Sequence, residues 1–299
     1  MSNQGEIDFA YSLIDRIFRL SLGEGADYSG ARYDGDFSLS LEEAQHRKHV
    51  FITESLGLTA GAHLLDLTCG WGPLLNYVRS RGIQGVGLTL SSAQVAACRK
   101  NGLDVRLKDC RTVDRESVGG FDAVATVGGF EHFCSPEEYR AGRQDEIYRD
   151  LFRRIAGLLP ARGRFYVQSM VFGKNMIPAD QVSVDAPRGS DGFMLGLMEK
   201  QFPGSWLPYG REQIEAAAGP FFRLVSASSG RLDYIETIRQ WRRRFAIPSL
   251  KKMLLKLSLA PRYFTSADFR LAFTSGISAN SVCFERELMD HFRLVFERT

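Results

Sequence analysis

Short apolar runs alternate with amphipathic segments from residue 63 onward, and glycine-rich turns separate them. The apolar runs predict five strands, in the segments HLLDLT, QGVGLTL, VRLKDC, FDAVATVGG and RFYVQSMVF. The intervening segments predict helices, in LLNYVRSRG, SSAQVAACRKNG and DEIYRDLFRRIAGLLPARG. Because strands that alternate with helices form parallel sheets, the pattern indicates an α/β fold with helices on both faces of one sheet.

Two amphipathic helices are predicted ahead of this alternation. The first covers residues 7–22, and the second begins near Ser40, where an S-x-x-E pattern is typical of a capped helix start. Residues 170–210 interrupt the alternation with prolines, glycines and scattered aromatic residues, so we expect an inserted cap there. Three later segments are interpreted as the closing elements of the sheet: EQIEAAAGPFF, RLVSASS and SVCFERELMDHFRLVFER.

The composition of the 299 residues is 44% apolar, 24% charged and 11% aromatic, which is typical of a globular protein. No run of roughly eighteen uninterrupted apolar residues occurs, as a membrane-spanning helix would require. The opening MSNQGEIDF lacks the basic and apolar regions of a secretory signal, so we expect a cytoplasmic protein. The five cysteines are scattered singly and no histidine lies at ligand spacing from them, so we expect free thiols and no metal site.

The formal net charge of +3 conceals an uneven distribution. Residues 239–262 contain eight Lys or Arg and no Asp or Glu, so the rest of the chain is net acidic. Such a run is usually a solvated helix face. In the segment KKMLLKLSL, lysines alternate with leucine and methionine, as in a helix that lies on a membrane surface. The arginines of residues 239–262 could bind the phosphate of a phospholipid or an isoprenoid diphosphate. Nucleic acid is not expected, because the segment has no known reading motif.

The segment HLLDLTCGWG places a glycine-rich turn directly after a buried strand. Such a turn lets the backbone approach a ligand and points a helix N-terminus toward it. It is neither a phosphate-binding G-x-x-x-x-G-K-S/T loop nor the G-x-G-x-x-G dinucleotide fingerprint. Taken alone, it is also compatible with a purely structural turn.

Polar residues follow the next three predicted strands as well. Thr89 and Gln94 follow the second strand and could bind a ribose, and Asp109 with Cys110 follows the third. Glu131 and His132 follow the fourth, in the segment GGFEH. Because open α/β sheets bind ligands at the carboxyl ends of their strands, the four positions together predict one ligand site.

At this point the sequence resembles the S-adenosylmethionine-dependent cyclopropane-fatty-acid and mycolic-acid cyclopropane synthases. The matching segments extend in order from residue 11 to about residue 245: YSLIDRIFRLSL, YSGARY, SLEEAQHRK, LLDLTCGWGPLLNYV, GVGLTLSSAQ, DCRTV, GGFEHF, FPGSWLP and DYIETIRQW. The last fifty residues match poorly. The resemblance implies a doubly wound, mostly parallel, seven-stranded Rossmann-like methyltransferase sheet. Its implied parts are a helical lid over residues 1–60, a cofactor-binding core over 61–169, a substrate cap over 170–210 and a C-terminal part over 211–299.

The resemblance also implies which residues bind the cofactor, S-adenosyl-L-methionine. Tyr28 and Ser29 would hold its methionine end above Gly70 and Gly72, and Asp66 would orient the turn. Thr89 and Gln94 match ribose contacts, and Asp109 with Cys110 matches adenine contacts. The reaction chamber would be lined by Glu131, His132, Tyr11 and Tyr234.

The expected chemistry is demanding, because an alkene is a weak nucleophile and must be held against the sulfonium methyl in a dry pocket. Methyl addition leaves a carbocation that aromatic faces stabilise, and a base must then remove a proton. Candidate aromatic residues are Tyr11, Tyr28, Tyr33, Phe130, Trp206 and Tyr234. In the family this base is a bicarbonate held by the glutamate of the FEH segment, a histidine, a tyrosine and cysteine positions.

The sequence departs from that pattern at several of these positions. The late cysteine of the family has no clear match, and Ile277 is the nearest position to it. The family's YSCAYF is YSGARY here, so Gly30 replaces a cysteine, and Gln168 in YVQSM occupies the histidine position. Glu131 and Tyr234 remain. The product is therefore a cyclopropane, a methylated alkene or a rearranged product, and in the last two cases Glu131 or His132 could be the base.

Other interpretations stay open at this stage. An N-methyltransferase of a small amine would have the same overall fold, although Gly128 replaces the additional glutamate expected in such an enzyme. A third possible class of function is a cofactor-binding module that has lost activity. Glu131 and His132 could form structural contacts at a strand end, and Trp206 could be a packing residue of the cap. We expect a hydrophobic alkene or lipid substrate, which could be anionic, and leave peripheral membrane contact and a homo-oligomer open.

Overall fold

The computed structural model describes residues 19–22, 27–266, 270 and 279–299, so the predicted Tyr11 lies outside the described residues. The strands are β1 (His63–Asp66), β2 (Gln84–Thr89), β3 (Asp104–Leu107), β4 (Ala123–Val127), β5 (Arg164–Phe172), β6 (Phe222–Ser229) and β7 (Met289–Arg298). They form one sheet in the order β3-β2-β1-β4-β5-β7-β6.

The sheet is mostly parallel, as predicted. The pairs from β3 to β5 run parallel, whereas β7 pairs antiparallel with both β5 and β6. A seven-stranded sheet of this topology confirms the predicted fold class. The carboxyl ends of β1, β2, β3 and β4 share one edge of the sheet, because these four strands are parallel neighbours.

The helices of eight residues or more are α1 (Leu41–Ser55), α2 (Pro73–Ser80), α3 (Ser92–Lys100), α6 (Gln144–Leu158), α7 (Asp191–Gln201), α8 (Gly210–Ala218), α9 (Arg231–Ala246) and α10 (Leu250–Thr265). Two short helices, α4 (Arg115–Val118) and α5 (Pro136–Arg140), lie between them. The predicted capping box is present in α1, where the Ser40 side chain accepts from the backbone of Glu43 and the Glu43 side chain accepts in return. Of the helix predicted over residues 7–22, only 19–22 are described, and they are helical.

Apolar side chains cover both faces of the sheet. On one face α6 and α8 pack Phe152 and Ile214 against β4 and β5, and on the other α1 and α2 pack Ile52 and Val78. A further apolar cluster joins α7 and α9 to the ends of β5 and β7. Residues 173–209 contribute α7 to that cluster, while the exact bounds of the cap stay a prediction. None of the helices in the described part of the chain is both long and apolar enough to cross a membrane.

Candidate active site

The glycine-rich turn after β1 leaves space beside its backbone. Gly70 and Gly72 have φ angles of 54° and 76°, in the left-handed region that favours glycine. A Cβ on Gly72 would lie 2.5 Å from Leu103 Cδ1, whereas no atom of the described residues lies within 4 Å of the corresponding position on Gly70. The turn is therefore closed by packing at Gly72 and open at Gly70, as the close approach of a ligand to the backbone requires.

Asp66 ends β1 directly before this turn and is buried. Its Oδ1 accepts a 3.2 Å hydrogen bond from the backbone nitrogen of Thr68. Burial raises the pKa of the Asp66 carboxyl to about 7. The side chain therefore holds the start of the turn, and a contact between Asp66 and a ligand stays a prediction.

Thr89, Gln94 and Asp109 extend the same edge of the sheet past β2 and β3. Thr89 Oγ1 donates a 2.5 Å hydrogen bond to Gln94 Oε1, and both residues are half-buried. Asp109 Oδ1 accepts a 2.8 Å hydrogen bond from Arg111 N. The side chain of Cys110 packs into the main core, and burial raises the pKa of its thiol to about 12. Any contact of Cys110 with a ligand would therefore involve its backbone.

A buried polar network holds the Tyr28–Ser29 segment. Lys48 Nζ lies 2.6 Å from Asp27 Oδ2, 2.6 Å from Ser29 Oγ and 2.5 Å from Gln45 Oε1. Burial alone would raise the pKa of Asp27, but the Lys48 ammonium and a hydrogen bond with His49 hold it below its usual range. Asp27 and Lys48 are functional candidates that were not predicted from the sequence. The signal for Lys48 was its place in the matching segment SLEEAQHRK, three residues after Gln45 and on the same helix face.

Glu131 lies just beyond β4 and is almost completely buried. Its Oε1 accepts a 2.8 Å hydrogen bond from Met170 N on β5. Its Oε2 has no hydrogen-bond partner among the described residues. Burial raises the pKa of the carboxyl to about 7, so the group can accept a proton near neutral pH.

His132 joins the GGFEH segment to the FPGSWLP segment. Its Nδ1 lies 2.6 Å from Ser205 Oγ. Two residues further on, Cys134 accepts a 2.8 Å hydrogen bond on its carbonyl oxygen from the backbone nitrogen of Trp206. These two predicted segments therefore lie side by side, although more than sixty residues of chain separate them.

A cavity of about 40 Å³ opens between these segments and α7. It is lined by Glu131, His132, Met170, Phe172, Val182, Leu195, Met198, Glu199, Phe202, Ser205, Trp206, Leu207 and Met289. Most of this lining is apolar, which suits a hydrocarbon ligand. Tyr139 stacks on Trp206 at a ring-centroid distance of 4.8 Å and supports that wall.

The aromatic candidates differ in their environment. Trp206 lines the cavity. Phe130 does not line this cavity, and its stabilisation of a cation stays a prediction. Its ring is fully buried in the main core, 4.7 Å from Tyr148 between ring centroids, because the short helical turn at 130–132 points Glu131 and Phe130 to different sides.

Gly30, Gln168 and Tyr234 meet around a histidine that the sequence analysis missed. Tyr234 stacks on His291 at a centroid distance of 5.0 Å, and a Cβ on Gly30 would overlap the Tyr234 ring. Gln168 Nε2 donates a 2.9 Å hydrogen bond to the Gly30 carbonyl oxygen. Burial lowers the pKa of His291 well below its usual range. Its position in the poorly matching last fifty residues gave no signal beyond strand periodicity.

A buried ion pair fastens the segment after Gly30 to the sheet. Arg293 Nη2 on β7 lies 2.8 Å from Asp233 Oδ2 and 2.8 Å from the Ala31 carbonyl oxygen. Asp233 Oδ1 also accepts a hydrogen bond from Asp34 N. The segment that follows Tyr28 and Ser29 is therefore fixed at two points.

Comparisons with known proteins agree with this geometry. The profile of the family described as mycolic acid cyclopropane synthetase matches residues 1–258. Hydroxymycolate synthase MmaA4 of Mycobacterium tuberculosis is 30% identical over 244 residues, which cover 79% of this chain and 76% of that protein. Cyclopropane mycolic acid synthase 3 of the same organism is 29% identical over 242 residues, which cover 79% and 80%.

The fold has a close counterpart among solved structures. Mycolic acid cyclopropane synthase CmaA1, complexed with SAH and CTAB, superposes with a TM-score of 0.73 at 24% identity, covering 96% of this chain and 95% of that one. The profile match and the 30% identity to hydroxymycolate synthase MmaA4 confirm the family that the sequence motifs predicted. The chain belongs to the mycolic acid cyclopropane synthetase family of S-adenosylmethionine-dependent methyltransferases.

Proposed function

We propose that this protein is a C-methyltransferase that transfers a methyl group from S-adenosylmethionine to an alkene of a lipid or isoprenoid-like substrate. The observation that carries the proposal is the mostly apolar cavity, whose lining includes the buried carboxyl of Glu131. The Oε2 atom of this carboxyl has no hydrogen-bond partner among the described residues. An alkene needs apolar walls to hold it and a base close to the carbon that loses a proton.

The cofactor would occupy the edge of the sheet formed by the first three strand ends. The open space at Gly70 fits a ligand that passes close to the backbone. Thr89, Gln94 and Asp109 supply hydroxyl, amide and carboxylate groups for a nucleoside, and Tyr28 with Ser29 would hold the methionine end. When bound, S-adenosylmethionine supplies an electrophilic methyl group on a sulfonium.

The cavity walls would then control the fate of the substrate cation. Met170, Leu195 and Met198 bring no hydrogen-bonding side chains, so they exclude water that would otherwise capture a carbocation. The face of Trp206 can stabilise the positive charge.

The proton acceptor proposed here is Glu131 itself. Its Oε2 has no hydrogen-bond partner in the described part of the chain, and a pKa of about 7 leaves a useful ionised fraction of the carboxyl near neutral pH. The family resemblance implies a bound bicarbonate, but Gly30 and Gln168 replace two of the residues that hold it in the family. A side chain at Gly30 would overlap Tyr234, and Gln168 is occupied by hydrogen bonds with Gly30 and Tyr166. We therefore favour a methyl-branched alkene over a cyclopropane as the product.

The relatives support a lipid substrate, since their names refer to hydroxymycolate and cyclopropane mycolic acid synthesis. A small cationic amine suits the cavity less well, because most of the lining is apolar and burial favours the neutral form of Glu131.

A lipid substrate also brings the protein to a lipid surface, so we propose peripheral membrane contact. All five cysteines are free thiols, which fits the reducing cytoplasm as the proposed location.

Product mass analysis tests this function. The protein is incubated with S-adenosylmethionine that carries a fully deuterated methyl group and with a panel of unsaturated lipids, prenyl diphosphates and small amines. We expect a lipid or prenyl product that retains all three deuterium atoms. A product with two would indicate a methylene bridge and therefore a cyclopropane, and methylation of an amine alone would contradict the C-methyltransferase.

A further inference from the structure

The outer face of α10 exposes large apolar side chains. Four of them lie on this helix with exposed fractions of 53–67%: Leu250, Met253, Leu254 and Leu257. Their spacing of three, four and seven residues from Leu250 places them on one stripe of the helix. Phe264, which is 77% exposed, continues the same stripe. Leu255 is buried on the opposite side, so the stripe faces away from the body of the protein.

Positive charges border this stripe. Lys251 and Lys256 are exposed, and the helical repeat of about 100° per residue places them on its two sides. Arg242 and Arg243 are exposed on the preceding helix, α9. Residues 239–262 contain no Asp or Glu, so no acidic side chain of this segment neutralises them.

Other basic residues of the segment have a structural role. Arg244 forms an ion pair with Glu42 on α1, and Arg239 forms one with Glu236. Lys252 Nζ donates to the carbonyl oxygens of Arg244 and Ile247, at 2.8 Å and 2.9 Å. The two Lys252 contacts fix the start of α10 against the end of α9, and the stripe faces outward.

We propose that α10 docks the protein on an anionic lipid bilayer, with the stripe in the acyl boundary and Lys251 and Lys256 among the lipid phosphates. An exposed apolar stripe with lysines along both borders is complementary to a surface that is apolar inside and negative at the headgroups. A second copy of the chain is a poorer partner, because a two-fold contact through this face would bring the same lysines together. The proposal adds a docking surface to the peripheral contact in the proposed function, and it does not depend on turnover.

Sedimentation with lipid vesicles tests the docking surface, and it is measured without cofactor or substrate so that the result is independent of catalysis. The full-length protein is mixed with vesicles of phosphatidylcholine alone or of phosphatidylcholine with phosphatidylglycerol. We expect binding to the anionic vesicles only, weakening as salt is added. The variant Leu254→Glu/Leu257→Glu should lose at least about tenfold in partitioning, and Lys251→Gln/Lys256→Gln on the order of tenfold.

Leu232→Glu is the matched control, because Leu232 is 58% exposed but lies outside the basic segment. It should bind vesicles as the parent does. Equal binding by the parent and Leu254→Glu/Leu257→Glu would overturn the assignment of the surface, as would failure of the parent to bind. A dimer in light scattering that Leu254→Glu/Leu257→Glu dissociates, without vesicle binding by the parent, would instead identify the stripe as a contact between two copies and overturn the proposal.

Discussion

The side-chain amide of Gln168 donates a 2.9 Å hydrogen bond to the carbonyl oxygen of Gly30, joining positions 138 residues apart. The hydroxyl of Tyr166 donates to Gln168 Oε1, so both ends of the amide are occupied. Tyr234 and His291 stack beside them and fill the space that a side chain at position 30 would need. This packing makes the glycine at position 30 a structural requirement of the observed arrangement.

Gly30→Ala should therefore destabilise the protein. The added methyl group would overlap the Tyr234 ring, and overpacking of this kind costs about 1–3 kcal/mol in the free energy of unfolding. Gly157→Ala is the matched control, because Gly157 lies in α6 with no atom within 4 Å of the new Cβ. The control should be neutral or stabilising by up to about 1 kcal/mol. Urea unfolding measures both, and equal effects would contradict the packing argument.

Glu131→Gln should lower kcat by about 10²–10⁴-fold while leaving the affinity for S-adenosylmethionine nearly unchanged. Only the carboxylate form can accept a proton, and burial raises the pKa to about 7. The parent rate should therefore rise with pH through about 7 and then level off. The residual rate of the variant should lack this rise. A parent rate that is independent of pH between 5 and 9 would argue against Glu131 as the base.

Asp66→Asn should become more stable relative to the parent as pH rises. The pKa of Asp66 is raised to about 7 by burial, so its stabilising contribution is complete below about pH 4 and is lost as pH rises through 7. The amide cannot ionise and avoids that loss, which is on the order of 4 kcal/mol for a pKa raised from 3.8 to about 7, at about 1.4 kcal/mol per pKa unit. Thermal unfolding at pH 4 and pH 8 measures the difference.

Asp36→Asn provides the contrast for that experiment. A hydrogen bond from Ser38 holds the pKa of Asp36 below its usual range. Its contribution to stability is therefore present above the unfolded-state pKa and is lost as pH falls below about 4. Thermal unfolding of this variant at pH 2 and pH 8 should therefore show its stability relative to the parent rising as pH falls, the opposite direction to Asp66→Asn. The same direction for both aspartates would contradict the assigned burial effect.

Lys48→Met should destabilise the protein by about 3–5 kcal/mol, because it leaves the Asp27 carboxylate in a largely buried position without its main counter-charge. The double variant Asp27→Asn/Lys48→Met should recover part of this loss. Both variants loosen the contacts to Ser29, so calorimetry should detect weaker S-adenosylmethionine binding in each. Additive destabilisation by the two changes would show that the pair does not interact.

Gly70→Ala should weaken cofactor binding more than its effect on stability explains. Alanine at a positive φ costs about 1 kcal/mol in stability, and its methyl group would enter the open space proposed for the cofactor. Gly57→Ala is the control, because Gly57 also has a positive φ, 68°, with no atom of the described residues within 4 Å of the new Cβ, and it lies before β1, at the other end of that strand from the proposed site. Calorimetry should show at least about tenfold weaker binding for Gly70→Ala alone. Equal affinities would remove Gly70 from the cofactor site.

The sequence by itself determined the sheet and the edge on which the site lies. The alternation of strands and helices implied parallel pairing, and the carboxyl ends of parallel neighbours necessarily share one edge. Asp66, Thr89, Asp109 and Glu131 each lie within a few residues of a strand end, so local pattern was enough to place them on that edge.

Only the tertiary structure decided which side chains meet across long stretches of chain. His291 beside Gly30, Lys48 beside Asp27 and Ser205 beside His132 are contacts between distant segments, and periodicity reports only which face of an element is buried. The surroundings of Phe130 could not be predicted from local pattern either. Its side chain packs in the main core, whereas the next residue, Glu131, lines the cavity. Burial then set the chemistry: the raised pKa of Glu131 comes from the desolvation that the packed chain imposes, and no local sequence pattern encodes it.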